Sequence, residues 1–227
     1  MAERGAARWN HNLHYHRLIL DAVPAGARTA LDIGTGDGLL ARDLHRLVPE
    51  VTGIDLDAAV LERARPEDPG VRWVHGDALT YPFAPGGFEV VTSVAVLHHF
   101  PDAEAALARM VELTAPQGLL AVIGLARSTT PTDYAWELAG IAQHQYFSRR
   151  RGFWEHSAPT LWPPPHSYRE LHALARRVLP GVRWRHLPLW RYALLWRKPV
   201  SNAVGAARPS ERETRRPGES RGTNRGL

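Results

Sequence analysis

The 227-residue chain contains no cysteine, which excludes disulfides, thiol nucleophiles and zinc sites built from thiolates. It has no apolar run approaching the ~20 residues that span a bilayer, and residues 1–12 hold no apolar block of the kind a secretory leader needs. A cytoplasmic protein is expected. Metal-ligand spacing is also scarce. His11, His14 and His16 lack the i, i+4 pairing of a helical two-histidine site, and no carboxylate stands close in sequence, so no metal is expected. Outside the C-terminal segment there is little excess charge: of the net +5, six arginines against three glutamates in residues 199–227 supply the larger share. That Arg-rich segment is poor in large apolar residues and is predicted to be a disordered tail. Its arginines alternate with acids and no aromatic side chain is interleaved for base stacking, which disfavours a nucleic-acid partner.

What is present begins with Leu31-Asp32-Ile33-Gly34-Thr35-Gly36-Asp37-Gly38, an apolar strand ending in three alternate glycines that lead into an amphipathic helix. Such a turn allows positive φ angles and removes the Cβ atoms that would hold a ligand away from the backbone. The helix after it presents free N–H groups. Leu39, Leu40, Leu44 and Leu47 share one stripe of a helix predicted over about 37–47. A dinucleotide turn places its third glycine three positions beyond the second, where this chain has Leu39. The following strand, Val51 to Asp55, ends in a carboxylate suited to accept the hydroxyls of a ribose. Nicotinamide dinucleotides and S-adenosylmethionine both use turns of this kind.

The rest of the chain alternates as an α/β fold requires. A helix is predicted over Trp9–Ala22, strands at 29–33, 50–55, 71–74, 88–93 and 119–124, and helices from Asp57 to about Arg65, at 103–113 and at 168–179. The nearly continuous apolar runs at 88–93 and 119–124 indicate parallel strands covered on both faces. The short connection near residue 188 predicts an antiparallel pair formed by 182–188 and 190–197.

Four further segments in order bring a resemblance into view: Gly53-Ile54-Asp55-Leu56-Asp57, Val74-His75-Gly76-Asp77-Ala78, Phe88 to Asp102, and Leu113 to Ile123. From about residue 28 to 125 the chain resembles the class I S-adenosylmethionine-dependent methyltransferases. The resemblance implies a Rossmann-like, seven-stranded, mostly parallel sheet in the order 3-2-1-4-5-7-6 with helices on both faces. It also implies S-adenosyl-L-methionine as cofactor. Asp32, Gly34, Thr35, Gly36 and Gly38 would form its cradle, Asp55 would hold the ribose, Leu56 would lie against the adenine, and Asp77 and Ala78 would bind the adenine edge. Ser93 belongs to the segment that would pass beside the reactive end of the cofactor. Related enzymes close the helix before the first strand over the methionine portion, which makes Tyr15 and His16 further candidates.

His98 and His99 follow the fourth strand and are candidate bases, since imidazole titrates near neutral pH. The Asn/Asp-Pro-Pro-Tyr/Phe signature of enzymes acting on nucleobase or glutamine amino groups is missing, with Ser93-Val94-Ala95-Val96 in its place. A small-molecule methyl acceptor is therefore expected. The alternatives are a protein that binds S-adenosylmethionine without catalysis and a nicotinamide-dependent oxidoreductase. One domain is expected over 1–198. An aromatic-rich insertion at 126–167 would serve as a substrate lid or a satellite core, and the tail would begin at 199.

Overall fold

In the computed structural model, residues 9–154 and 161–200 are described. The expected tail lies, from residue 201 onward, outside them. In chain order come a 3-10 turn (Leu13–Tyr15), α1 (His16–Leu20), β1 (Thr29–Ile33), α2 (Leu39–His45), β2 (Glu50–Asp55), α3 (Ala58–Ala64) and β3 (Arg72–His75). There follow β4 (Phe88–Val94), a second 3-10 turn (Leu97–His99), α4 (Ala103–Leu113), β5 (Thr114–Gly124), α5 (Pro131–Arg151), α6 (Tyr168–Val178), β6 (Arg183–Leu187) and β7 (Arg191–Arg197).

The strands form one sheet in the order β3-β2-β1-β4-β5-β7-β6. β1 to β5 are mutually parallel, and β7 enters antiparallel between β5 and β6. Alternate side chains feed two cores. Leu31, Ile33, Val91, Leu120 and Val122 pack with Leu107 and Met110 of α4 and Leu171 of α6. Ala30, Val90, Leu119, Ala121 and Ile123 join Ile19 of α1, Leu40 and Leu44 of α2 and Val60 of α3. This is why the central strands are apolar at every position: both faces are covered. Asp57 and Asp102 cap α3 and α4 by accepting backbone N–H groups of their first turns.

Three expectations are corrected. The helix predicted over Trp9–Ala22 is a 3-10 turn followed by the five-residue α1, because Asn10 Oδ1 accepts the N–H groups of Asn12 and Leu13 and fixes a later start. Strand β5 begins at Thr114 rather than 119, and its first half makes room for Gln117 at φ 63°. The insertion at 126–167 contains a 21-residue helix, α5, closed at its start by a reciprocal Thr130–Asp133 capping box with Pro131 following. Only Asp133 and Gly140 of α5 are buried. Its sequence therefore carries no apolar stripe, which is the signal by which a helix is read.

Candidate functional site

A cavity of about 910 Å³ opens where the parallel strands end, bounded by the turns after β1, β2, β3 and β4, the first 3-10 turn, the segment after α5 and the start of β7. This is the edge at which open α/β sheets bind ligands. Its first wall is the glycine turn. The backbone N–H groups of Gly34 and Thr35 both donate to the carbonyl of Ile54, which ties the turn to β2. Gly34 has φ 67° and an added Cβ there would collide with Val96. Gly36 has φ 54°, but an added Cβ would meet nothing within 4 Å, so at this point the missing side chain leaves open cavity.

The carboxylates are held by different means. Asp55, at the end of β2, accepts from Gly36 N at 2.8 Å and from Asp57 N at 2.9 Å, one bond on each oxygen. A carboxylate has about four lone-pair directions, so acceptor capacity remains toward the cavity. Asp77 Oδ1 accepts from Leu79 N at 2.9 Å. Leu56, 68% exposed, presents an uncovered apolar face between these two acids. Asp32 is buried, and both of its oxygens are occupied by hydroxyl donors, Thr35 Oγ1 at 2.7 Å and Thr92 Oγ1 at 2.8 Å. Burial pushes its carboxyl up to about 6 against the opposing effect of these two hydrogen bonds.

Asp32, Gly34, Thr35, Gly36, Asp55, Leu56, Asp77, Ala78, His16, His98 and His99 are thus brought to one cavity. Three other candidates are not part of its wall. Tyr15 turns its ring toward the β6–β7 connection, where its hydroxyl donates to the Pro188 carbonyl at 2.6 Å. Ser93 points to the opposite side of the sheet from Thr92, the pleat alternating between them, and is fully buried. Gly38 faces Trp73 and Ala64, where a Cβ would clash, so it serves the contact between helix and sheet. His16 lines the cavity with Nδ1 2.9 Å from Asp43 Oδ2.

The second 3-10 turn brings His98 and His99 to the wall with ring centroids 4.1 Å apart. His98 is buried, and its Nδ1 has no hydrogen-bond partner among the described residues. Desolvation, reinforced by His99 and Arg191, pulls its imidazole down to about 4. His99 is shifted the same way by burial. Both rings are therefore neutral at neutral pH, and His98 is a weak base.

The sequence points to the insertion as a wall of this cavity but not to the N-terminal asparagines or the head of β7. Asn10, Asn12, Trp190 and Arg191 line that wall, together with Phe153, Trp154, Leu161 and Trp162 from the insertion. The N-terminal segment and the insertion are joined by a Trp154 N–H bond to the Trp9 carbonyl at 2.9 Å, and Trp9 packs against Phe147 and Phe153. Leu189 and Trp190 both have positive φ, 57° and 59°, a cost of order 1–3 kcal/mol each for side chains of this size. That turn is what aims Trp190 and Arg191 into the cavity. The one available signal was an arginine at the head of an apolar strand. No group of three or more potential metal ligands occurs among the described residues, and no helix among them is long and apolar enough to cross a membrane.

Comparisons with known proteins bear on this arrangement. A family model described as a methyltransferase domain matches residues 31–122. An uncharacterized methyltransferase of Mycobacterium tuberculosis (strain ATCC 25618 / H37Rv) is 42% identical over 196 residues, 85% of this chain and 98% of the relative. A 2-phytyl-1,4-naphtoquinone methyltransferase of Thermosynechococcus vestitus is 39% identical over 114 residues, 48% of this chain and 50% of that protein. Among solved structures, the [4+2]-cyclase SpnF has a TM-score of 0.63 at 16% identity, covering 87% of this chain and 86% of its own. A SAM-dependent methyltransferase from Aquifex aeolicus has a TM-score of 0.56 at 14% identity, covering 80% and 88%. At these identities the solved structures speak for the fold alone.

Proposed function

Because the chain belongs to the class I S-adenosylmethionine-dependent methyltransferases, we propose that it transfers a methyl group to a small-molecule acceptor bound in the β4–β7 half of the cavity. The observation that carries this reading is a single cavity of about 910 Å³, large enough for a cofactor and a modest second ligand. Its two halves differ in kind: glycines and aspartates toward β1–β3, aromatic rings, imidazoles and one guanidinium toward β7.

On this reading Asp55 accepts the ribose hydroxyls, Leu56 covers one adenine face, and Asp77 with the Ala78 N–H reads the adenine edge. Gly36 leaves the space that the nucleoside needs. The bound cofactor supplies an electrophilic methyl carbon on a sulfonium. The protein's own part is then to hold the acceptor in line and keep water out. Trp154, Trp162 and Trp190 exclude water, and the neutral imidazoles of His98 and His99 form part of the wall against which the acceptor is held. The insertion acts as a wall of the acceptor half through Phe153, Trp154, Leu161 and Trp162, while its Phe147 packs against Trp9.

The quinone methyltransferase among the relatives supports a small, largely apolar acceptor. Labelled cofactor separates methyl transfer from cofactor binding without transfer. Incubated with radiolabelled S-adenosylmethionine and a metabolite extract, the protein should move label into a compound that gains the mass of one methyl group. Tight cofactor binding with no label transferred to any fraction would replace this reading with that of a binding protein.

A further inference from the structure

Arg191 begins β7 in the cavity wall and is only 5% exposed. Its Nε and Nη2 donate to Asn12 Oδ1 at 3.2 and 2.8 Å, and its Nη1 donates to the carbonyls of Leu189 and Trp190 at 3.3 and 3.4 Å. All these acceptors are neutral, and among the described residues no carboxylate pairs with Arg191. A buried cation without a counter-charge is costly, and natural interiors pair such groups. The phenols whose fields reach it, Tyr15 and Tyr168, are kept protonated by burial, so neither supplies that charge. Burial draws the guanidinium itself down to about 10.

The cavity is also polarised. Asp32, Asp37, Asp55, Asp57 and Asp77 all belong to the β1–β3 half. Among the described lining residues Arg191 is the one fixed cation, and no acid lines the wall around it. Four of its five guanidinium N–H groups are engaged by the neutral acceptors, so one Nη2–H remains for a ligand, and the uncompensated charge favours an anionic one.

We propose that Arg191 is the anion-binding residue of this cavity and pairs with a ligand carboxylate, carried either by the acceptor or by the amino-acid end of the methyl donor. This assignment rests on the methyl-transfer reading for the identity of the two ligands. The test uses matched probes on the full chain by calorimetry. S-adenosylhomocysteine bears the amino-acid carboxylate and 5′-methylthioadenosine lacks it; 2-naphthoate is anionic and aromatic, and 2-naphthalenemethanol is its neutral counterpart.

If the acceptor carries the carboxylate, 2-naphthoate binds about tenfold or more tightly than the alcohol, R191M abolishes that preference, and S-adenosylhomocysteine is unaffected. If the donor carries it, R191M weakens S-adenosylhomocysteine by about tenfold or more and leaves 5′-methylthioadenosine unchanged. In both cases R191K restores part of the loss, because it keeps the positive charge. Circular dichroism checks that the variants are folded. Should they fail to fold, the wild-type protein decides: its melting temperature rises with 2-naphthoate or, beyond what 5′-methylthioadenosine gives, with S-adenosylhomocysteine. The proposal is overturned if neither carboxylate probe distinguishes wild type from R191M, or if neither raises the melting point above its carboxylate-free partner. Failure of the wild type to bind both adenosine compounds would instead remove the methyl-transfer reading, with the naphthoate pair still judging Arg191.

Discussion

Asp55 and Gly36 share one hydrogen bond, and on the proposed function they would serve the cofactor in two ways, by offering acceptors and by offering space. Asp55→Ala should weaken S-adenosylmethionine binding by roughly 1–3 kcal/mol in calorimetry; unchanged affinity would remove its assigned role. Gly36→Val places a branched side chain where nothing now lies within 4 Å. A larger loss of affinity than for Asp55→Ala is expected, and normal binding would mean that the ligand approaches elsewhere. His98 gives a pH-dependent outcome. Its folded-state value of about 4 lies below the unfolded value of 6.5, so its contribution to stability is present above pH 6.5 and is lost as pH falls toward 4. The stability advantage of wild type over His98→Gln in urea unfolding should therefore shrink across that window. A difference flat in pH would contradict the burial of a neutral imidazole.

At the scale of elements, legibility followed local causes. β1, β2 and α4 were readable because their apolar periods and caps are written in consecutive residues, and the Asp102 cap of α4 is a clear instance. The glycine turn and Asp55 were placed at the cavity for the same reason, since its β1–β3 half is built from strand ends and the turns that directly follow them. Of the β4–β7 half, the insertion was legible by its aromatic content and Arg191 was not. Arg191 reaches Asn12 across 179 positions of sequence, and no local pattern encodes a contact of that span. Tyr15 was misassigned by one residue of rotation on a short turn, which sends its hydroxyl to Pro188 while His16 meets the cavity. The turn before the apolar half of β5 offers a test. Gln117 is exposed with φ 63°, a conformation that costs a side-chain-bearing residue ~1–2 kcal/mol, while glycine has an entropic cost of ~0.5–1 kcal/mol. Gln117→Gly should thus be neutral or stabilising by up to about 1 kcal/mol in thermal unfolding. A clear loss of stability would show that the side chain holds the turn.

For the whole molecule, the sheet order and the antiparallel entry of β7 bring the N-terminal segment, the insertion and the last strand to one rim, so residues far apart in sequence enclose one cavity. β7 is followed by Lys198, whose ammonium donates at 2.7 Å to the carbonyls of both Val111 and Thr114, anchoring the chain beside α4 and β5. Truncation after Val200 removes none of these contacts. The shortened protein should melt at the same temperature as the full chain in calorimetry, and a marked drop would show that residues beyond 200 support the fold.

Among the described residues the outer strand β6 pairs on one side only, with β7, and Arg183 and Arg185 on it are exposed to solvent. Two guanidinium groups on one short ribbon repel an approaching copy of the same ribbon and discourage strand-by-strand polymerisation. The cationic character of that rim is thereby a safeguard of solubility at high concentration, separate from any role in chemistry.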